Sequence, residues 1–337
     1  MNILVTGGAG FIGSNFVRYW MKAHPADTIV VYDSLTYAGN IHSLDDVATS
    51  FHFVKGDIAN SDLVFESLKR FEINVVVNFA AESHNSLAIL DPGRFFQTNV
   101  MGTQGLMEGV RRAKVDRFHH VSTCEVYGDM DLDEEGGFKE DSPYLPRTPY
   151  NASKAGGDHV VRSYALTYGV PISITNCANN YGRYQFPEKV VPLFVTNAID
   201  DLPLPLYAST SNRREWIHAL DHSKAIDLVI NKGREFETYH VGTGVEKSIL
   251  DIADLVVKHL NKDESIKTIV PDRPSHDRRY LLDSSKIRQE LGWEPEIEFD
   301  DGIADVIDWY VANRSWWEPL KLRAPVVEGP GSSWISK

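Results

Sequence analysis

The sequence predicts an α/β fold, a doubly wound parallel sheet joined to a smaller, interleaved C-terminal α/β lobe. Three observations carry that prediction. Short β-branched runs alternate with longer stretches whose apolar residues recur at helical spacing, the pattern of a parallel sheet covered on both faces. A glycine-rich turn, Thr6-Gly7-Gly8-Ala9-Gly10-Phe11-Ile12-Gly13, joins the first run to the first helix. After about residue 177 the alternation breaks, and prolines and turn residues thicken over 181–213.

The elements follow in order. NILVT (2–6), TIVVY (28–32), FHFVK (51–55), NVVVNF (74–79), RFHHVS (117–122) and PISITN (171–176) are predicted strands, rich in β-branched and aromatic residues. Between them, 11–23, 61–71 and 98–113 have the apolar periodicity of helices. Past the break, Ser248 precedes ILDIADLVVKHL as a predicted N-cap, and Ser284 opens a short helix that Gly292 ends. These boundaries predict a dinucleotide-binding domain over 1–177 and a mainly substrate-binding, interleaved lobe over 178–320. A loose tail is predicted over 321–337. The acidic stretch DMDLDEEGG (129–137) reads as a solvated loop, close enough to the preceding strand end to act as a lid.

Composition narrows the function. With 337 residues and 42% hydrophobic content, the chain can bury a large core. A net charge of −13 argues against a nucleic-acid groove or an anionic membrane surface as partner, although local arginines can still hold a small anion. No apolar run approaches membrane-spanning length, and the strand starting at Asn2 leaves no room for a leader. Two cysteines, Cys124 and Cys177, suit a reducing cytoplasm rather than a disulfide framework.

The glycine turn has two readings, Gly8-x-Gly10-x-x-Gly13 or Gly7-x-x-Gly10-x-x-Gly13. In either, bare backbone permits a tight turn, brings a pyrophosphate to the helix N-terminus with Phe11 and Ile12, and lets helix and strand pack closely. Asp33, at the end of the second strand, lies 20 residues beyond Gly13. A carboxylate there accepts from both ribose hydroxyls and repels a 2′-phosphate, so a Rossmann-type site for NAD is predicted in preference to NADP. Asp57 and Ile58 after the third strand, and Ala80 and Ala81 after the fourth, fall where the adenine and pyrophosphate would lie.

Tyr150 and Lys154 in PYNASKAGG are four residues apart at a predicted helix start, hence on one helical face. A lysine beside a nicotinamide cation favours the phenolate, lowering the tyrosine from its reference pKa of about 10. That provides a base for a hydroxyl proton as hydride leaves the same carbon. Thr123, at the end of the fifth strand, can help hold that hydroxyl.

TGGAGFIGSN, FAAESH, STCEVYG, PYNASKA, TNCANNYGRYQFPEK, NRREWIHALDH and DRPSHDRRYLLD together resemble the extended short-chain dehydrogenase/reductases, and within them the nucleotide-sugar 4,6-dehydratases, over roughly 1–320. The resemblance implies a reaction in three stages with recycled NAD. Tyr150, assisted by Lys154, and enzyme-bound NAD⁺ oxidise C4 of the hexose; Glu125 removes the C5 proton while a neighbouring acid protonates the departing C6 hydroxyl; hydride then returns to C6 and a proton to C5. It further implies Arg214 and Arg273 on the diphosphate, Ser83, Asn179 and Glu188 facing the substrate, and Cys177 packed by the nicotinamide. Arginine suits the diphosphate because its fork is planar and permanently charged. Homodimers through helices 98–113 and 150–168 are also implied. His84, His119, His120 and His276 show no metal-ligand spacing, so no metal is predicted.

Two departures from the family's pattern put the substrate and one proton in question. The family reads Thr-Asp-Glu where this chain has Thr123-Cys124-Glu125, and the replaced aspartate is the proton donor to the C6 hydroxyl. A thiol near its reference pKa of about 8.5 is protonated at neutral pH. It is nonetheless the weaker acid by up to about 4.6 pK units, roughly 6 kcal/mol of driving force. Three readings stay open: Cys124 is the acid; water or another group donates while Cys124 fills space; or the elimination is altered. After FAAESH the family continues Val-Asp-Arg-Ser, whereas this chain has Asn85-Ser86-Leu87-Ala88. The expected substrate is dTDP-glucose, with UDP-glucose and UDP-GlcNAc as competitors. A C4 epimerase on the same scaffold and a non-catalytic nucleotide-sugar sensor are the alternatives.

Overall fold

The computed structural model describes residues 1–324. Strands β1 (Asn2–Thr6), β2 (Thr28–Asp33), β3 (His52–Lys55), β4 (Val75–Asn78), β5 (Arg117–Thr123) and β6 (Ile172–Cys177) match the six predicted strands to within one residue at most ends. With β10 (Glu237–Val241) they form a seven-stranded sheet in the order β10-β6-β5-β4-β1-β2-β3, with every pair parallel. Its burial explains the sequence: β4 and β5 are buried along their whole lengths, as strands covered on both faces must be.

The connecting helices are α1 (Phe11–Ala23), α2 (Ser61–Arg70), the short α3 (Asn85–Leu90) and α4 (Pro92–Phe96), α5 (Thr103–Ala113) and α6 (Pro149–Tyr168). The predicted helix over 98–113 is interrupted, since Gln97–Gly102 winds as a π-turn before α5 begins. Asn99 lies in this wide turn, and its amide ties down both the N–H and the C=O of Glu82. Local polar ties of this kind, invisible in the apolar period, relax the helix there.

The second lobe begins with β7 (Asn179–Tyr181), α7 (Val190–Ile199), β8 (Leu204–Tyr207) and β9 (Arg213–His218). The chain then returns to the large sheet: α8 (Ala219–Lys232) packs on α1, and β10 (Glu237–Val241) pairs with β6. It crosses back through β11 (Glu246–Ser248), α9 (Ile249–His259) and β12 (Lys267–Val270), touches the large-sheet side again where α10 (Ser285–Leu291) packs on β10 and α8, and ends in α11 (Phe299–Ala312) and α12 (Arg314–Arg323). Small sheets β11-β9-β7 and β12-β8 organise this lobe. Its core is built from Phe194, Trp216, Ile252, Val256, Ile303 and Trp317 with their neighbours, separate from the two cores on the faces of the large sheet.

Ser248 makes a full capping box with Asp251. Ser284 begins α10 without a side-chain cap, because its hydroxyl instead accepts the Gly242 N–H at 2.8 Å. Gly292 ends that helix at φ +67°, as glycine allows. The predicted tail starts as the last turn of α12, and 325–337 lie outside the described residues. The acidic stretch 129–137 is anchored at its start, where Asp129 pairs with Arg147 and Arg278 and Met130 N donates to Arg279 O, and is solvated over most of 131–136. No helix among the described residues is long and apolar enough to cross a membrane.

Candidate active site

The C-terminal ends of the parallel strands face the second lobe across one cavity of about 840 Å³. Sheets of this topology bind ligands there, at the point where strand order reverses between β1 and β4. Gly7, Asp33, Asp57, Thr123 and Cys177 arrive at the cavity wall from the ends of β1, β2, β3, β5 and β6. Ile58, Ala80 and Ala81 follow from the loops after β3 and β4.

Of the two glycine readings, Gly7-x-x-Gly10-x-x-Gly13 lines the cavity, together with Phe11 and Ile12 at the start of α1. Gly7 sits at φ +67°, and a Cβ there would come within 2.6 Å of Ala80 N. At Gly13 a Cβ would lie 2.3 Å from the Gly7 carbonyl oxygen, so helix and turn touch backbone to backbone. Gly8 instead turns toward Val31 on β2. Asp33 accepts the N–H of Ala9 at 3.0 Å and that of Leu35 at 2.8 Å, bonds that hold its carboxyl beside the turn and oppose the upward push of burial. A bare-backbone cradle, a helix N-terminus and a carboxylate at the second strand end fit an adenine dinucleotide without a 2′-phosphate.

Tyr150 and Lys154 stand on the first turns of α6, capped by Thr148, whose Oγ1 accepts the Asn151 N–H at 3.2 Å. Lys154 Nζ donates to the Val121 carbonyl at 2.8 Å, and burial lowers its pKa. Burial, then Glu125 and the two thiols, push the Tyr150 phenol well above its ordinary value, while the Thr123 hydroxyl pulls it the other way. Glu125 faces the same space. Burial raises its carboxyl, opposed first by the Asn85 amide and then by Arg273.

On the second lobe's side, Asn179, Glu188, Arg214 and Arg273 line the cavity, with Ser83 on the Rossmann side. The Arg214 guanidinium is braced by the carbonyls of Arg213, Asp277 and Arg278. Glu188 accepts from Tyr37 Oη at 2.9 Å, and burial raises its pKa. His84 accepts the Leu87 N–H on Nδ1, and burial followed by Lys189 and Arg273 pushes it down to about 3, so it is a neutral cap.

Cys124 does not line the cavity. Its thiol is packed with Val126, Tyr127, Ala155, Tyr280 and Leu282, and burial first, then Glu125, raises its pKa well above the ordinary thiol range. Cys177 does reach the wall, its thiol pushed up to about 12 chiefly by burial. Sequence reasoning missed Lys189, which lines the cavity and donates from Nζ to Ser83 O at 2.6 Å. Its position beside Glu188 in QFPEK was the available signal. It also missed Asn85 as a partner of Glu125. Among the described residues, no cluster of three or more His, Cys, Asp or Glu could hold a metal.

Known proteins share both the pattern and the architecture. The family model described as GDP-mannose 4,6 dehydratase matches residues 4–306. A dTDP-glucose 4,6-dehydratase of Streptomyces niveus is 44% identical over 99% of both chains. The crystal structure of DesIV, the dTDP-glucose 4,6-dehydratase of Streptomyces venezuelae with NAD and TYD bound, superposes with a TM-score of 0.92. It has 48% identity and covers 95% of this chain and 100% of its own. A UDP-glucose 4-epimerase of Thermotoga maritima with UDP-glucose superposes at 0.86, with 25% identity over 93% of this chain and 100% of its own. By the family match and by identity along nearly its whole length, the chain belongs to the nucleotide-sugar dehydratases of the GDP-mannose 4,6 dehydratase family.

Proposed function

We infer that this chain is an NAD-dependent nucleotide-hexose 4,6-dehydratase, a hydro-lyase that converts dTDP-glucose to dTDP-4-keto-6-deoxyglucose. The observation that carries the reading is the meeting of Tyr150, Lys154 and Glu125 with the glycine turn and Asp33 around one cavity. Gly7, Gly10 and Gly13 would hold the NAD pyrophosphate, Asp33 the adenosine ribose, and Cys177 the space beside the nicotinamide. Held there, NAD would supply the hydride acceptor for C4 of the hexose and the hydride donor for C6.

The chain's own residues move the protons. Tyr150 Oη takes the proton of the C4 hydroxyl, which Thr123 helps to hold. Lys154, fixed by Val121, keeps positive charge beneath the phenolate. Once C4 is a ketone, the C5 proton is acidic, and Glu125 removes it as the C6 hydroxyl leaves as water. Arg214 and Arg273 would clamp the diphosphate, while Ser83, Asn179 and Glu188 would orient the sugar. The burial of Cys124 favours the reading in which it fills space and a cavity group or water protonates the departing hydroxyl. Cys124→Ala is therefore expected to keep both C4 oxidation and water loss within about tenfold, and to cost about 1 kcal/mol of stability. Stopped-flow kinetics and thermal unfolding check this, and selective loss of the elimination step would return the acid role to the thiol.

Asp33→Asn keeps one side-chain oxygen to accept a backbone N–H and removes the charge. NAD affinity is expected to fall roughly tenfold while NADP is affected less, because a charged hydrogen bond is lost and a repulsion removed. Cofactor titration of both dinucleotides measures it.

The exposed apolar side chains of Met101 in the π-turn and Leu166 in α6 favour a homodimer through helices 98–113 and 150–168, and two unpaired thiols suit the cytoplasm. The assignment of reaction and sugar is tested by mass spectrometry after incubation with dTDP-glucose, UDP-glucose and UDP-GlcNAc. Loss of one water from the dTDP sugar is expected. An isomer of unchanged mass would make the chain an epimerase, and binding without turnover would make it a sensor.

A further inference from the structure

Asn85 opens α3 at the point where the sequence departs from its family. Its Nδ2 donates to Glu125 Oε2 at 3.0 Å, and its Oδ1 accepts from Thr148 Oγ1, also at 3.0 Å. Thr148 Oγ1 in turn accepts the N–H of Asn151 as the cap of α6, the helix that presents Tyr150. With that lone pair occupied, the Thr148 hydrogen can be given to Asn85 Oδ1, which leaves the amide NH₂ facing Glu125. The flipped amide would set two oxygens face to face unless Glu125 carried a proton. The chain of bonds therefore favours the ionised carboxyl, in one rotamer.

We propose that Thr148 and Asn85 form a positioning relay that fixes Glu125 as a carboxylate by its Oε2, leaving the other oxygen to the substrate. The relay rests on the reading of Glu125 as the base for the C5 proton, and deepens it. Thr148 ties the start of the helix that carries Tyr150 to the carboxyl that acts on the neighbouring carbon, so the two proton acceptors keep one geometry. Other charges face Glu125 as well. Arg214 and Arg273 favour its ionised form and Asp277 opposes it. Lys189 feels it from the second lobe, and Tyr150, Tyr280 and Cys124 are neutral neighbours whose own ionisation it suppresses. The two arginines and Lys189 are available to bound diphosphate and sugar, whereas the Asn85 amide is committed to Glu125.

Asn85→Leu removes the donor while keeping the branched skeleton, and Asn85→Asp replaces it with a like charge. In both, the acid limb of the pH profile for water loss is expected to move up by about one to two pH units, the worth of one hydrogen bond to a charged group. C4 oxidation should stay within a few-fold. Thr148→Ser keeps the hydroxyl and should keep the profile, while Thr148→Val should move it in the same direction as Asn85→Leu. Carbon-13 NMR titration of the Glu125 carboxyl, assigned by its loss in Glu125→Gln, reads the same shift without turnover. A midpoint identical in the unmutated chain, Asn85→Leu and Asn85→Asp would overturn the relay. If the unmutated chain fails to dehydrate any of the three sugars while the NMR midpoint still shifts, the functional reading fails and the relay stands. Should Asn85→Leu not fold, Asn85→Asp and Thr148→Val decide by the same midpoint.

Discussion

Tyr150→Phe is expected to slow C4 oxidation by about 10²- to 10⁴-fold, the usual worth of a positioned general base. The change removes one oxygen and nothing else. The ring packs edge-on to Phe95 at 6.3 Å between centroids, within a small cluster with Ala88 and Leu87, and phenylalanine fills that space equally. Stability and cofactor binding should therefore hold while the first chemical step fails. The pH dependence has a definite sign. On the proposed mechanism the reactive form is the phenolate, and burial with Glu125 nearby raises the phenol in the protein. C4 oxidation should then rise with pH until the dinucleotide's positive nicotinamide and Lys154 have brought the phenolate to full population. Single-turnover appearance of the reduced cofactor measures both the loss and the profile. A Tyr150→Phe rate within a few-fold of the unmutated chain would remove the phenol from the mechanism.

The second large effect belongs to Glu125. Glu125→Gln preserves shape and an acceptor oxygen but has no carboxylate to take a proton. C4 oxidation is expected to survive, while water loss falls by about 10²- to 10⁴-fold and the reduced cofactor accumulates. The split between the steps is the informative feature. Because burial raises the Glu125 carboxyl, its basic form is lost as pH falls through that raised value, so water loss in the unmutated chain should fail at higher pH than a free carboxylate would cause. Equal slowing of both steps in Glu125→Gln would mean that the residue holds the substrate rather than removing its proton.

Much of the fold was legible because alternation of β-branched and helical stretches reports burial on both faces of a parallel sheet. The strand ends that carry Asp33, Thr123 and Cys177 could be placed from that rhythm alone. The glycine reading could not, since both spacings satisfy the same turn; the backbone decided it by turning Gly8 toward Val31 and bringing Gly13 against Gly7. The place of Cys124 was hidden for a related reason. Neighbours on a strand end point in different directions, and a pattern of polar residues does not say which one turns into the core. Asn85, Thr148 and Glu125 come from three separate segments, so their bonds leave no trace in local spacing. Ser284 had the right residue type for a cap, but a distant backbone N–H claimed its hydroxyl first.

The most direct measurement is incubation of the unmutated chain and NAD with dTDP-glucose in deuterated water, followed by NMR and mass analysis of the sugar. The arrangement of Tyr150 and Glu125 around one cavity predicts a 4-keto-6-deoxy product that has lost one water and carries solvent deuterium at C5. A sugar of unchanged formula inverted at C4, with hydrogen retained at C5, would contradict it.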